Sequence, residues 1–160
     1  MSERLNQDWL QGRVSLGAAA GWTPEEMRLV ADLGYALAEQ GRNEEAITVF
    51  EGLAALAPAT AYFQSALGAL RLRTGEPQRA LRHLEAALTA DPQDISALVN
   101  CGEACLQLGE RAAAIRYLQA AVRLGEMRGD SASAQYVTRS QALLARWQTG
   151  EAVARRGGNF

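Results

Sequence analysis

Residues 31–58 read ADLGYALAEQGRNEEAITVFEGLAALAP, and five positions of this stretch recur along the chain with a period of 34 residues. Four of the recurring columns have three members each: Gly34, Gly68 and Gly102; Gly41, Gly75 and Gly109; Ala46, Ala80 and Ala114; and Phe50, Leu84 and Leu118. Pro58 and Pro92 form a fifth column, which Glu126 interrupts. Self-similarity at a fixed period indicates a repeat architecture.

The two glycine columns have different physical roles. The first glycine of each copy lies inside a run that favours helix, where glycine costs about 1 kcal/mol relative to alanine. We therefore predict that a neighbouring helix packs too closely there for a β-carbon. The second glycine ends the run, because glycine adopts the left-handed conformation of a helix C-terminus without strain. Each copy is thus predicted to begin with a helix that ends in a tight turn.

An amphipathic run follows each turn, with apolar residues three or four positions apart. The apolar sets are Ala46, Ile47, Phe50 and Leu53; Ala80, Leu81, Leu84 and Leu88; and Ala114, Ile115, Leu118 and Val122. Proline stops the first two runs, since it donates no amide hydrogen and disfavours helix at the preceding residue. The third copy lacks that proline, so its second helix is predicted either to run on or to end irregularly near Gly125 and Gly129.

The segment 52–70 contains no charged residue and has nearly the length of a membrane helix. Pro58 and several polar residues interrupt it, which disfavours a membrane span. The period predicts instead the end of a second helix, a turn and the first helix of the next copy. We expect this segment to lie mostly in the core and to present one uncharged face, without direct membrane insertion.

Two flanking regions complete the chain. Residues 1–22 are predicted to form an N-terminal arm, either a packed cap or a self-association element, and thus a candidate dimerisation helix. Its apolar residues at roughly helical spacing are Leu5, Trp9, Leu10 and Val14. Thr23, Pro24 and Glu26 then mark a helix start. Residues 131–147 are predicted to be a capping helix, and residues 148–160 a frayed tail.

Composition narrows the classes of partner. The 160 residues suit one domain. Because 16 Lys and Arg balance 18 Asp and Glu, there is no excess of positive charge to bind nucleic acid or an anionic membrane.

Cys101 and Cys105 are one helical turn apart, and His83, the single histidine, is expected on a solvated face. We predict no disulfide, no metal site and no cofactor.

Catalytic motifs are absent from the sequence in recognisable form. An enzyme needs a nucleophile beside a base, a metal set or a phosphate-binding loop. The glycines are spaced for helix packing, and Glu44 and Glu45 follow a turn where negative charge suits the helix dipole. We therefore predict that the protein is not an enzyme.

The columns resemble those of the tetratricopeptide repeat. The resemblance implies an all-α solenoid of three helix-turn-helix repeats, within residues 23–130, at about 27–60, 61–94 and 95–128. In such a stack, the residue after the recurring glycine and those three and six before it face the concave groove. The corresponding positions are Arg28, Ala31 and Tyr35; Tyr62, Ser65 and Ala69; and Ser96, Val99 and Glu103.

Few of these nine residues are charged, which favours an extended and partly apolar peptide as ligand. The cations with which some tetratricopeptide proteins hold acidic C-terminal tails are not found at the matching places, which Ala31, Tyr35, Ala66, Ser96 and Asn100 occupy. Tyr35 and Tyr62 have an alternative role, in which they only pack between repeats.

The chain also resembles the class II chaperones of bacterial type III secretion. The residues that carry this resemblance are LGYALAEQGRNEEAITVFEGL at 33–53, AYFQSALGALR at 61–71 and CGEACLQLGERAAA at 101–114. The resemblance implies a cytoplasmic, non-enzymatic chaperone that binds an apolar segment of a translocator or other partially unfolded protein. It also implies a homodimer formed through the arm, and it adds Phe63 to the ligand contacts. The alternative is a general tetratricopeptide scaffold in another bacterial assembly.

Overall fold

The computed structural model describes the backbone of residues 15–156 and the side chains of residues 15–147 except positions 16 and 19. The described residues form eight α-helices and no strand, which confirms the predicted all-α class. The helices are α1 Leu16–Ala19, α2 Pro24–Glu39, α3 Asn43–Leu56, α4 Ala61–Arg73, α5 Pro77–Ala90, α6 Ile95–Gln107, α7 Arg111–Arg128 and α8 Ser131–Arg156. Residues 1–14, and with them the four apolar residues of the predicted arm helix, lie outside the described part.

Helices α2 to α7 form three successive helix-turn-helix repeats, as predicted. The chain divides into two compact units, although we expected one domain. The first unit ends at Pro92 and contains repeats one and two, and the second begins at Gln93 and contains repeat three and α8. The boundary follows the proline of the fifth column, in the turn between α5 and α6.

The first glycine of each repeat faces the large apolar residue of the same repeat. A β-carbon on Gly34 would lie 2.7 Å from Phe50 Cε2, and one on Gly68 would lie 2.6 Å from Leu84 Cδ2. A β-carbon on Gly102 would likewise lie 2.6 Å from Leu118 Cδ2. These separations are too short for a real β-carbon, so the prediction of close helix packing is confirmed.

The second glycine of each repeat has the predicted left-handed backbone. The φ angles of Gly41, Gly75 and Gly109 are 78°, 77° and 77°. After each of them, the next amide donates to a carbonyl five residues back, as from Arg42 N to Leu37 O at 2.9 Å. This bond satisfies a carbonyl that the helix end would otherwise leave without a partner.

The second helices bury the alanine and the large apolar residue of every repeat. Ala46 and Phe50, Ala80 and Leu84, and Ala114 and Leu118 are all buried. Ile47 and Leu53 are also buried in repeat one, whereas Leu81, Leu88, Ile115 and Val122 are only partly buried. The predicted apolar stripes therefore point to the core, most completely in α3.

A charged cluster joins repeat one to repeat two. Arg71 of α4 is only 7% exposed, and its guanidinium donates to Glu51 of α3 at 2.5 Å and to Glu76 at 2.6 Å. Hydrogen bonds from Arg79 and from Arg71 lower the pKa of Glu76 to about 2. The Arg73 side chain also donates to Ala38 O, at the end of α2, at 2.9 Å. The apolar segment 52–70 is thus followed by arginines that tie its helix to the preceding repeat.

Repeat three has the first of its two predicted endings, in which the second helix runs on, and the helix after it is longer than predicted. Helix α7 continues through Gly125 and stops at Gly129, whose φ angle is 64°. A β-carbon on Gly125 would meet Val137 of α8, so α7 and α8 pack closely at this point. Helix α8 runs to Arg156, and the predicted end at Trp147 is wrong. Residues 148–156 contain no proline, and a single glycine costs only about 1 kcal/mol within a helix.

His83 is partly buried, contrary to the expectation of a solvated face. Its Nδ1 lies 2.9 Å from Gln64 Oε1, while Gln64 Nε2 donates to Pro58 O at 3.3 Å. Since the amide nitrogen of Gln64 is the donor to proline, its oxygen accepts a hydrogen bond from the imidazole N–H. Burial, followed by the positive charge of Arg71, lowers the pKa of His83 below its ordinary value of 6.5.

We predict that replacing Gly68 with alanine destabilises the protein. The new methyl group would overpack against Leu84, at a cost of about 1–3 kcal/mol, and would gain about 1 kcal/mol of helix propensity. The expected net loss in the free energy of unfolding is up to about 2 kcal/mol, measured by urea denaturation. Gly52→Ala is the matched control, because no atom lies within 4 Å of the position that its new methyl group would take in α3. That variant should gain up to about 1 kcal/mol, and equal effects of the two substitutions would contradict the packing role.

We also predict that the protein loses stability as the pH falls below about 6.5. The unfolded chain protonates His83 near its ordinary pKa, whereas the folded chain resists protonation, so the unfolded state binds more protons in this range. Thermal unfolding between pH 7.5 and pH 5.5 should therefore show a falling midpoint. Because His83 is the single histidine, His83→Gln should remove most of this slope, and an unchanged slope would assign it to other groups.

Candidate peptide-binding site

Tyr35 and Tyr62 form an exposed aromatic pair in the first unit. Tyr35 follows Gly34 on α2, and Tyr62 lies in the first turn of α4. Their ring centroids are 5.6 Å apart with an interplanar angle of 46°. The two residues are 41% and 46% exposed, respectively. The sequence predicted both residues as ligand contacts, and the structure brings them together.

Each tyrosine of the pair also rests against a buried phenylalanine. The Tyr35 ring meets Phe50 edge to face at 5.3 Å between centroids, and Tyr62 meets Phe63 at 5.8 Å. Phe50 and Phe63 belong to the core of the first unit. The tyrosines therefore pack against the core on one side and leave about two fifths of their surface open on the other. Packing and ligand contact, the two roles considered from the sequence, are compatible in this arrangement.

The other predicted site residues of the first unit differ in depth. Arg28 of α2 is exposed, and Ser65 and Ala69 of α4 are partly exposed. Ala31 and Phe63 are buried in the core and offer no open surface, so we remove them from the candidate site. Both side chains belong to the core cluster of the first unit, where the Phe63 ring meets the Tyr62 ring edge to face.

The predicted residues of the second unit lie on α6. Ser96 and Glu103 are partly exposed, but Val99 is fully buried and we remove it from the candidate site as well. The Glu103 carboxylate accepts a charge-assisted hydrogen bond from Arg139 of α8. Arg139 of α8 thus neutralises the charge of the one acidic residue among the predicted contacts. The two residues are 36 positions apart in the sequence, and no local pattern predicted that they would pair.

The five open residues that were predicted as contacts in the first unit carry a single charge. Among Arg28, Tyr35, Tyr62, Ser65 and Ala69, only the arginine is charged. The small side chains of Ser65 and Ala69 lie three and seven residues after Tyr62, on the same side of α4. The two aromatic rings therefore lie beside small side chains. An extended chain can lie across the surface that they form together.

A second exposed apolar surface was not identified from the sequence. Trp22, Leu29 and Leu33 are 39%, 65% and 56% exposed, and we call them the α2 strip. A pocket of about 480 Å³ lies beside this strip, between the turn at residues 20–22 and the first half of α2. The spacing of the two leucines, one helical turn apart, was the available signal.

The second unit has a smaller apolar pocket of about 100 Å³ between α7 and α8. Leu118 and Leu143 contribute to its wall, and Trp147 closes one side. The Arg111 guanidinium lies 5.6 Å from the centroid of the Trp147 ring, within the range of a cation–π contact.

The part of the chain that the structure describes has no group of three or more His, Cys, Asp and Glu side chains that could hold a metal ion. Cys101 and Cys105 are both buried. None of the described helices is long and apolar enough to cross a membrane.

Two sequence models of the tetratricopeptide repeat match the chain, one over residues 13–61 and the other over residues 71–135. Together they cover more than half of its length. The chain is a tetratricopeptide repeat protein. The matched ranges contain the contacts of Gly34 with Phe50 and of Gly102 with Leu118, which belong to repeats one and three. Among curated proteins, no sequence matches this tetratricopeptide protein.

Solved structures with the same fold include components of type III secretion. A chain in a type III secretion complex from Aeromonas hydrophila superposes with a TM-score of 0.81, at 23% identity over 91% of this chain and 96% of that chain. The translocator chaperone SycD of Yersinia enterocolitica gives 0.75, at 22% identity over 82% and 97%. PcrH of Pseudomonas aeruginosa, in complex with the chaperone binding region of PopB, gives 0.70, at 23% identity over 77% and 98%. At these identities the likeness establishes the fold.

Proposed function

We propose that this protein is a non-enzymatic chaperone, which binds an extended apolar segment of a type III secretion translocator and keeps it soluble before export. The observation that carries the proposal is the half-exposed Tyr35–Tyr62 pair on the first helices of two successive repeats. Proteins of the same fold support the choice of ligand. PcrH has been solved with the chaperone binding regions of PopB and PopD, and SycD with a peptide of the translocator YopD.

The tyrosine pair suits such a ligand for three reasons. An aromatic ring contributes a large apolar contact, and its hydroxyl can still exchange hydrogen bonds with a peptide backbone. Both rings are held by phenylalanines of the core, so little side-chain entropy is lost when a ligand binds. Ser65 and Ala69 have small side chains, which leave room beside the rings for the side chains of a bound segment.

The remaining parts of the proposal follow from the same assignment. A protein that holds a translocator before export works in the cytoplasm, and it needs neither a cofactor nor a catalytic group. We also propose that the protein forms a homodimer. A second structure of SycD, described as an alternative dimer, supports self-association within this fold.

We predict that the double substitution Y35A/Y62A weakens peptide binding by about tenfold to a hundredfold. Truncation of central aromatic contacts commonly costs about 1–3 kcal/mol, and 1.4 kcal/mol corresponds to a factor of ten. The probes are overlapping fluorescent peptides that together cover the apolar segments of the translocators of the same bacterium. The chaperone binding region of PopB serves as a first reference peptide. Binding is measured by fluorescence anisotropy, and folding by circular dichroism.

The matched control for this experiment is Y35F/Y62F, which keeps both rings and removes only the hydroxyls. It should bind within a few-fold of the unchanged protein if ring contact dominates. Unchanged affinity of Y35A/Y62A would overturn the assignment of the site, and so would unfolding of that variant, which would place the tyrosines in the core. Binding to folded partners but to none of the peptides would favour the general scaffold.

For the homodimer, we predict a molar mass by light scattering of twice the 17.2 kDa of one chain, independent of concentration in the micromolar range. A mass of a single chain at all concentrations would contradict this part of the proposal. It would leave the assignment of the tyrosine pair unaffected, because both tyrosines lie within one unit of one chain.

A further inference from the structure

The apolar pocket between α7 and α8 belongs wholly to the second unit. Its apolar lining residues among those described are Leu106, Ile115, Leu118, Leu143, Leu144 and Trp147. Arg111 and Gln119 line it as well. A cavity of about 150 Å³ with similar apolar walls holds a benzene molecule. Because this pocket has a volume of about 100 Å³, it suits one aliphatic side chain, such as that of leucine or methionine.

Close helix packing holds the walls of this pocket. Leu118 is 1% exposed, and a β-carbon on Gly102 would overlap it, so α6 and α7 approach closely behind the pocket. Helices α7 and α8 also touch where a β-carbon on Gly125 would overlap Val137, close to the turn that joins them. Since these contacts fix the helices against one another, a ligand can enter without first reorganising the walls.

Trp147 and Arg111 form the edge of the pocket. Trp147 is 38% exposed, so the pocket reaches the surface of the unit beside this indole ring. The cation–π contact with the Arg111 guanidinium holds the ring in its place. An apolar group inside the pocket would therefore lie next to a positive charge.

The helices around the pocket are basic, although the whole chain has a net charge of −2. Residues 111–147 contain six arginines and only two acidic residues, Glu126 and Asp130. Both acidic residues lie beside the turn between α7 and α8, at Gly129. The pocket lies farther from that turn, because Leu118 is about three helical turns before Gly129. The excess of positive charge is thus found at the pocket end of the two helices.

Two of these arginines are direct neighbours of lining residues. Arg116 follows Ile115 on α7, and Arg146 precedes Trp147 on α8, and both arginines are exposed. Glu110, directly before α7, is the acidic residue nearest in sequence to this end of the helix. A partner with carboxylates around an apolar side chain matches this distribution of charge.

We propose that this pocket binds one leucine or methionine side chain from a partner segment that carries acidic residues on both sides of it. The apolar walls disfavour a charged or polar side chain inside the pocket. The arginines at its edge attract the flanking carboxylates. This proposal does not rest on the proposed chaperone function, because the pocket and the tyrosine pair belong to different units.

An NMR titration of the full chain tests this site. The probe is a short peptide, acetylated and amidated at its ends, with a central leucine between two pairs of glutamates. It should shift the indole N–H signal of Trp147 with a Kd of about 1 mM, because a single buried side chain gives weak binding. The signal is assigned by its loss in W147F. Absence of a shift at about 5 mM peptide would overturn the proposal.

Two control peptides separate the apolar contact from the charges. In one, glycine replaces the leucine, and binding should weaken at least about tenfold because no side chain fills the pocket. In the other, lysines replace the glutamates, and binding should weaken at least about fivefold because like charges repel. A control peptide that binds as well as the first peptide would contradict the proposed ligand, either in its apolar or in its acidic part.

Variants of the protein locate the binding in the pocket. I115W places a larger side chain in the pocket and should weaken binding of the leucine peptide at least about tenfold. The matched control is M127W, which adds the same ring at an exposed position near the helix turn and should bind normally. R116E/R146E changes only exposed residues, so it tests the site even if I115W does not fold. It should weaken binding at least about fivefold, and undiminished binding would overturn the proposal.

Two other occupants of the pocket would give different results. If the end of the same chain fills the pocket, the leucine peptide should bind only after residues 157–160 are removed. If a second copy fills it, the indole signal of Trp147 should shift on dilution without any peptide. Either result would overturn the assignment of the pocket to an acidic partner segment.

Discussion

The contact between a glycine of the first helix and a large apolar residue of the second helix sets the geometry of every repeat. It occurs at Gly34 with Phe50, at Gly68 with Leu84 and at Gly102 with Leu118, always 16 residues apart. Because a β-carbon at the glycine would overlap the partner side chain, this contact fixes how closely the two helices approach. Tyr35 is the residue directly after one of these glycines, so its ring inherits its position from the same contact.

Between repeats one and two, charged groups supplement apolar packing. Arg71 is nearly buried, yet both of its carboxylate partners remain partly in water, so no carboxylate is fully desolvated. Such an arrangement limits the desolvation penalty that a fully buried ion pair would carry. It also adds directionality, since a guanidinium held by Glu51 of α3 and by Glu76 fixes α4 against two neighbouring segments.

Features that depend on residues close together in the sequence were predicted correctly. The left-handed glycines and the close helix packing at the first glycine of each repeat follow from period, propensity and helix spacing. The same spacing assigned Tyr35 and Tyr62 to one surface, but it did not predict that their rings meet. The burial of individual side chains could not be predicted in the same way. Helix spacing gives the direction in which a side chain points, but it does not show whether larger neighbours cover that side chain, as they do for Ala31 and Val99. The ion pair of Glu103 with Arg139 and the cluster around Arg71 join distant segments, and no short pattern encodes them.

Helix α2 carries two open apolar surfaces whose chemistry differs. The Tyr35 and Tyr62 side offers hydroxyl groups beside the rings, so it can accommodate an extended segment whose backbone amides and carbonyls still need partners. The leucines of the α2 strip offer no hydrogen-bonding group, and they therefore suit a segment whose backbone is already satisfied, which is the case for a helix. The two sides of α2 therefore suit partners of different chemistry.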